Sequence, residues 1–230
     1  MNAPGPLYLI AAGTLAAAAY VLWSNNQGVT YDPGAAGDGG VTDAGGSGGG
    51  FLMDMVNSVN SSVQNAFSDP ASAVGNSNVQ AFLRMIRVGE GTAGPNGYTT
   101  LFGGGQFSSF SAHPNVRNPF FNPRTQKMDI STAAGAYQIN YPTWTDIQAA
   151  LSLPDFSPAS QDIGACWLIQ RDGALADVVN GAVDAAISKC AGTWASLAGS
   201  SSGQRQLTLA QDETNFASFG GVQTDAGSGA

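Results

Sequence analysis

AFLRMIRVGEGT, residues 81–92, is the stretch on which the fold turns. Phe82, Leu83, Met85 and Ile86 recur at helical spacing, with Val79 one turn earlier, and mark one apolar face of a helix. Ser77 or Asn78 supplies a capping side chain at its start. The pattern then runs into Gly89-Glu90-Gly91-Thr92, a glycine-rich exit. Glu90 is one of two glutamates; the other, Glu213, lies in a polar segment near the C-terminus. A carboxyl at the C-terminal end of a helix meets the negative end of the dipole, which disfavours its ionised form. Partial burial acts in the same direction. That is the chemistry a general acid requires; the competing reading is a surface glutamate that merely ends a helix.

After Gly91 the chain is loop-rich to about Ser131. Thr99 to Phe110 reads as a small hairpin over the glycines 103–105, and Pro114, Pro119 and Pro123 preclude long regular elements beyond it. Helices resume at Pro142, where Trp144, Ile147, Ala150 and Leu151 share a face. Ser157-Pro158 starts another, which ends at Arg171 before Gly173. Two more run over 174–180 and 182–197, with Gly181 between them. Asp69-Pro70 reads as the end of a preceding pattern. Four or five helices with one small sheet make an α+β domain over 76–221, long enough for one core, followed by a disordered tail at 222–230.

The net charge of −8 is misleading as an average. All eight lysines and arginines fall between Arg84 and Arg205, where eight acidic residues cancel them; the excess acids lie outside. A neutral domain without a basic stripe excludes nucleic acid as a partner. Cys166 and Cys190 allow one disulfide, but their apolar helical contexts favour buried thiols. One histidine and no paired cysteine motif leave no metal site, and GGGQ at 103–106 lacks the lysine of a phosphate loop. No cofactor is expected.

The N-terminal part is of another kind. Leu7 to Trp23 is a seventeen-residue apolar run without charge, with Tyr8, Tyr20 and Trp23 suited to a membrane–water boundary. Without a basic leader it reads as a retained transmembrane anchor, over residues 1–26, rather than a cleaved signal. Gln27 to Gly50 is a Gly-rich linker with a coil reach of roughly 25–30 Å. Within 51–75, Phe51 to Phe67 is weakly amphipathic: a docking or membrane-surface helix, or a short helix packed on the domain.

From Asn78 to Gly199 the chain resembles the phage lambda endolysin family of lysozyme-like lytic transglycosylases. The matching pieces run in order: AFLRMIRVGEGT, GYTTLFGGGQFSSFSAHP, NP, STAAGAYQI, TW, LPDFSPASQD, RDGAL and AISKCAGTWASLAG. The resemblance implies a mainly helical lysozyme-like fold with a substrate cleft for bacterial peptidoglycan. It implies that Glu90 of the EGT motif is the catalytic acid. It places Thr92, Gly135, Tyr137 and Gln138 at the sugar, Tyr137 and Gln138 holding acetamido and hydroxyl groups. His113 and Trp144 match positions that are structural or substrate-adjacent. The chain departs at Ala136, where the family motif carries an arginine.

Ordinary glycosidases need two carboxylates flanking the bond. Asp129, which precedes the GAYQ segment, is the one candidate partner for Glu90, and its alternative reading is a loop aspartate capping Ser131-Thr132. A lytic transglycosylase needs only Glu90, as acid and then as base. Three functions compete on these readings. The first is a membrane-anchored enzyme of the virion's internal membrane, associated with other virion membrane or capsid proteins, that opens the wall locally for genome delivery. The second is a signal-anchor-release enzyme at the host inner membrane, facing the periplasm. The third is a non-catalytic glycan-binding or structural virion protein.

Overall fold

The computed structural model describes residues 69–122 and 124–224. The expected anchor, linker and amphipathic segment (Leu7–Trp23, Gln27–Gly50, Phe51–Phe67) lie outside them. Among the described residues no helix is long and apolar enough to cross a membrane.

The elements run α1 (Pro70–Ala73), α2 (Ser77–Gly89), a 3-10 turn (Gly97–Thr99), β1 (Asn118–Asn122), β2 (Lys127–Ser131), α3 (Tyr141–Leu151), α4 (Pro158–Arg171), α5 (Leu175–Asn180), α6 (Val183–Cys190) and α7 (Leu209–Ser218). Asp69-Pro70 opens a helix rather than closing one: the Asp69 carboxylate accepts the Ser72 amide at 3.0 Å and caps α1. Ala73 of α1 is fully buried in the core, so the fold gathers in residues before Asn76. The cap of α2 is Asn76, just before the two expected residues, its side chain accepting the Asn78 and Val79 amides.

α2 packs against α4, α5 and α7. Its expected apolar face holds: Val79, Phe82, Met85 and Ile86 are fully buried with Ile147, Phe156, Ile169 and Phe216. Each large side chain so buried contributes about 1.5–3 kcal/mol, which is what fixes the helix and thereby the position of its last turn. Cys166 and Cys190 are free thiols in this core, and burial raises the pKa of both.

Two further expectations are corrected. The strands form at 118–131, not at 99–110. β1 and β2 pair antiparallel from Asn118↔Ser131 to Asn122↔Lys127. Pro119 is tolerated because each strand of a two-stranded sheet has an unpaired edge. Around the glycines there is a single bridge, Thr100↔Gln106, closed by the Leu101 amide on Gly105 O; Gly103 and Gly104 turn the chain too tightly for a strand. The helix expected over 182–197 stops at Cys190. From Gly192, a poor helix former, the chain turns so that both Trp194 and Leu197 reach the core.

Asp212, on α7, is a cost written into this core. It is fully buried; one carboxylate oxygen accepts the Ala198 amide at 3.0 Å and the other has no partner among the described residues. Burial pushes its pKa up to about 6 from an ordinary 3.8. The folded state therefore holds a proton that the unfolded chain releases at lower pH. Stability contributed by this group falls as pH rises from about 4 to 6, by on the order of 2–3 kcal/mol. Asp212→Asn is expected to flatten that part of the curve. Urea midpoints of both proteins at pH 4 and pH 7 test this; an equal fall in both rules Asp212 out as the cause.

Candidate active site

α2 delivers Glu90 to the point where two limbs of a cleft meet. The larger limb, about 940 Å³, runs between the β1–β2 hairpin and the Thr193–Ala195 segment. The smaller, about 320 Å³, runs between Gly103-Gly104 and Ser196. Glu90, Phe102, Gln138, Ala195 and Gln204 line both. Glu90 closes α2 as its C-terminal cap, its amide bonded to Ile86 O at 2.9 Å. Its carboxyl accepts the Ser196 hydroxyl at 2.6 Å. Burial raises the Glu90 pKa above the ordinary carboxylate value, and the Ser196 hydrogen bonds pull partly the other way. The result is a carboxyl held towards its protonated form at the waist of an open groove, as a general acid requires.

Ser196 had no signal of its own in the sequence. The only trace of it lies in Gly89: a β-carbon there would sit 2.5 Å from Ser196 Oγ and 2.8 Å from its Cβ. Ser196→Ala removes a bond that favours the charged form. It is therefore expected to raise the Glu90 pKa further and move the high-pH limit of activity upward. Gly89→Ala displaces the same serine and is expected to move that limit the same way, while costing about 1–3 kcal/mol of stability through overpacking. A pH–rate profile checks both; a limb that stays in place means Ser196 does not tune Glu90.

The turn after Glu90 is fixed from below. Arg87 donates to Thr92 O and Gly94 O and lies over the Tyr98 ring at 4.6 Å. Thr92 is 2% exposed and its hydroxyl donates to Ala136 O, tying the EGT turn to the GAYQ loop. Gly135 of that loop takes a left-handed φ of 78°, and a β-carbon there would lie 2.2 Å from Gln161 Oε1. The buried Gln161 side chain accepts the Ala136 amide at 2.8 Å and donates to Tyr98 O and Phe156 O. The neighbouring Asp162 accepts the phenols of Tyr137, at 2.6 Å, and Tyr98, at 2.9 Å. Burial raises the pKa of all three groups.

These contacts divide the expected site residues. Glu90 and Gln138 face the cleft together; the Gln138 amide donates to Gly135 O and Thr100 O. Tyr137 does not present its side chain to the cleft. It is 2% exposed and its hydroxyl is spent on Asp162, so it anchors the loop instead of holding a sugar. Thr92 and Gly135 likewise act beneath the groove. Ala136 is fully buried, so the departure from the family motif falls in the packing of the loop. Trp144 is a core residue, edge-on to Phe156 at 4.6 Å. His113 accepts the Asn115 amide at Nδ1 and so donates from Nε2 to Ile139 O at 2.9 Å. It is a neutral staple, its pKa lowered by burial. Asp129 lies on β2, lines the larger limb and is exposed. Its oxygens take the Ile130 amide and the Asn122 side chain rather than capping Ser131-Thr132. Asp162, Gln161, Ser196 and Trp194, whose ring nitrogen donates to Tyr137 O, are the site residues that sequence reasoning missed.

The family model for endolysins matches residues 80–223. The endolysin of Escherichia phage P2 is 41% identical over 158 residues, covering 63% of this chain and 94% of that protein. The endolysin of Escherichia phage lambda is 37% identical over 135 residues, covering 56% and 82%. Among solved structures, bacteriophage lambda lysozyme complexed with a chitohexasaccharide superposes with a TM-score of 0.59 at 34% identity, covering 65% of this chain and 97% of that one. A second structure of lambda lysozyme gives 0.55. With a family match over more than half its length and relatives covered to 82% and 94% of theirs, on a fold that sets one glutamate of raised pKa at the waist of a groove, the chain belongs to the endolysin family.

Proposed function

We propose that this protein is a peptidoglycan lytic transglycosylase in which Glu90 serves first as acid and then as base. The observation that carries the reading is the pairing of one desolvated carboxyl, Glu90, with a cleft that extends to both sides of it. Protonated Glu90 gives its proton to the glycosidic oxygen between N-acetylmuramic acid and N-acetylglucosamine, and the C1–O bond breaks. The substrate's acetamido group stabilises the cationic C1. Glu90, now ionised, takes the proton of the C6 hydroxyl as O6 attacks C1. Glu90 ends protonated, a 1,6-anhydro ring is formed and no water is consumed. Asp129 is the other carboxylate on the larger limb, but it is solvated and engaged in holding the hairpin, which favours a one-carboxylate mechanism. The chitohexasaccharide complexed with the related lambda lysozyme supports a glycan substrate.

Digestion of purified peptidoglycan by the full chain, with products identified by mass spectrometry, tests the chemistry. Anhydro-muropeptides are expected. Hydrated reducing ends would make the protein a hydrolase with Asp129 as the second carboxylate. No products from the folded protein would favour a glycan-binding role.

The uncharged run Leu7–Trp23 and the Gly-rich segment Gln27–Gly50 support a membrane-anchored enzyme on a tether, carried in the virion for local wall opening. The endolysin names of the relatives support the second reading, release from the host membrane at lysis. Membrane fractions of purified virions and of infected cells distinguish them; absence from virions ends the first.

A further inference from the structure

Two arginines flank Glu90 without a described partner. Arg117 lines the larger limb and Arg205 the smaller. Among the described residues neither makes an ion pair. The two described ion pairs are Arg171 with Asp172 and Lys189 with Asp177. Arg87, the cation closest in sequence to Glu90, is spent on Thr92 O and the Tyr98 ring. In the smaller limb the only charged groups are Glu90 and Arg205. With Glu90 protonated, that limb is positive. In the larger limb Arg117 shares the wall with Asp129, whose oxygens are held by Ile130 and Asn122. Each limb therefore offers one free guanidinium, the side chain best shaped to take a carboxylate through two parallel hydrogen bonds.

A plain amino-sugar chain gives these groups nothing to bind, because it carries no anion. The glycan of a bacterial wall does: its muramic residues bear short peptides with free carboxylates. A bond cut at Glu90 leaves sugar in both limbs, and stems project on either side of the cut. We propose, on the basis of the peptidoglycan reading above, that Arg117 and Arg205 make the cleft selective for glycan carrying acidic stem peptides. Each guanidinium pairs with a stem carboxylate on its own side of Glu90. These are specificity residues; the bond-breaking chemistry stays with Glu90.

The test compares two substrates with the full chain: intact peptidoglycan strands, and the same strands with their stem carboxylates capped as neutral amides. The readout is the ratio of kcat/KM on the two, which a general loss of activity does not move. The wild-type ratio is expected to favour strands with free stem carboxylates by about tenfold or more, the size of one charge-assisted contact. Arg117→Gln and Arg205→Gln should each lower the ratio, the double variant should bring it close to one, and added salt should lower the wild-type ratio alone. Both side chains are exposed, so melting temperatures should not change. A wild-type ratio near one, or ratios unmoved in the variants, overturns the proposal and leaves the transglycosylase reading standing. No cleavage of either substrate by the wild type overturns both.

Discussion

Glu90→Gln is expected to abolish glycan cleavage, by at least about 10³-fold, with the fold retained. The amide is nearly isosteric and can still accept the Ser196 hydroxyl, which now lies 2.6 Å from the carboxyl. What it cannot do is give or take a proton at the glycosidic oxygen. The loss should appear in the rate and not in glycan binding. Stability should hold or improve. Burial raises the Glu90 pKa, so its ionised form is penalised in the fold, and that penalty appears as pH rises through the folded pKa. Glutamine never incurs it. By the same sign, wild-type activity should fall as pH rises through the Glu90 pKa, because the reaction starts from the protonated acid. Initial rates on purified peptidoglycan, a binding assay and thermal melts decide. A variant that keeps wild-type rates removes Glu90 from the chemistry, whatever its position in the cleft.

Gly135→Ala is expected to be strongly destabilising. Two effects add. At φ 78° alanine is strained by about 1 kcal/mol relative to glycine. The new β-carbon also falls 2.2 Å from Gln161 Oε1 and 2.8 Å from its Cδ. Gln161 cannot retreat freely, because it holds Ala136, Tyr98 and Phe156 at once. Moving it leaves buried backbone groups unpaired, at about 1–3 kcal/mol for each. With one such group lost the sum is about 2–4 kcal/mol, or a fall in Tm of about 10 °C for a domain of this size. Activity should fall as well, since Gln138 reaches the cleft from the same loop. The double variant Gly135→Ala/Gln161→Ala separates the causes. If the clash dominates, its cost will be clearly less than the sum of the two singles. Strict additivity would mean that Gln161 does not clamp the loop.

How far the sequence could be read depends on the kind of signal. Helical periodicity survives in one dimension, so the buried face of α2 and the Pro-marked starts of α3 and α4 were legible from spacing. Glu90 stood out as a lone carboxyl between two glycines at a helix exit, and the structure sets it on the cleft. The strands were misplaced because the glycines at 103–105 look like a hairpin turn, while the pairing of Asn118–Asn122 with Lys127–Ser131 depends on contacts across a turn that proline seemed to forbid. The direction of the Tyr137 side chain was illegible for a related reason. A motif tells which residue sits in a loop, but not whether its side chain points up into the groove or down to Asp162.

The sequence by itself determined the helical core and the family of the domain, because each is carried by local pattern or ordered motifs. Only the tertiary structure decided what tunes Glu90 and supports the turn that follows it. Ser196 meets Glu90 across 106 positions, Asp162 meets Tyr98 across 64, and Gln161 meets Ala136 across 25. Such contacts leave no periodic trace. A buried serine or glutamine acquires its role from the low-dielectric surroundings that packing creates, and those exist only once the chain has closed on itself.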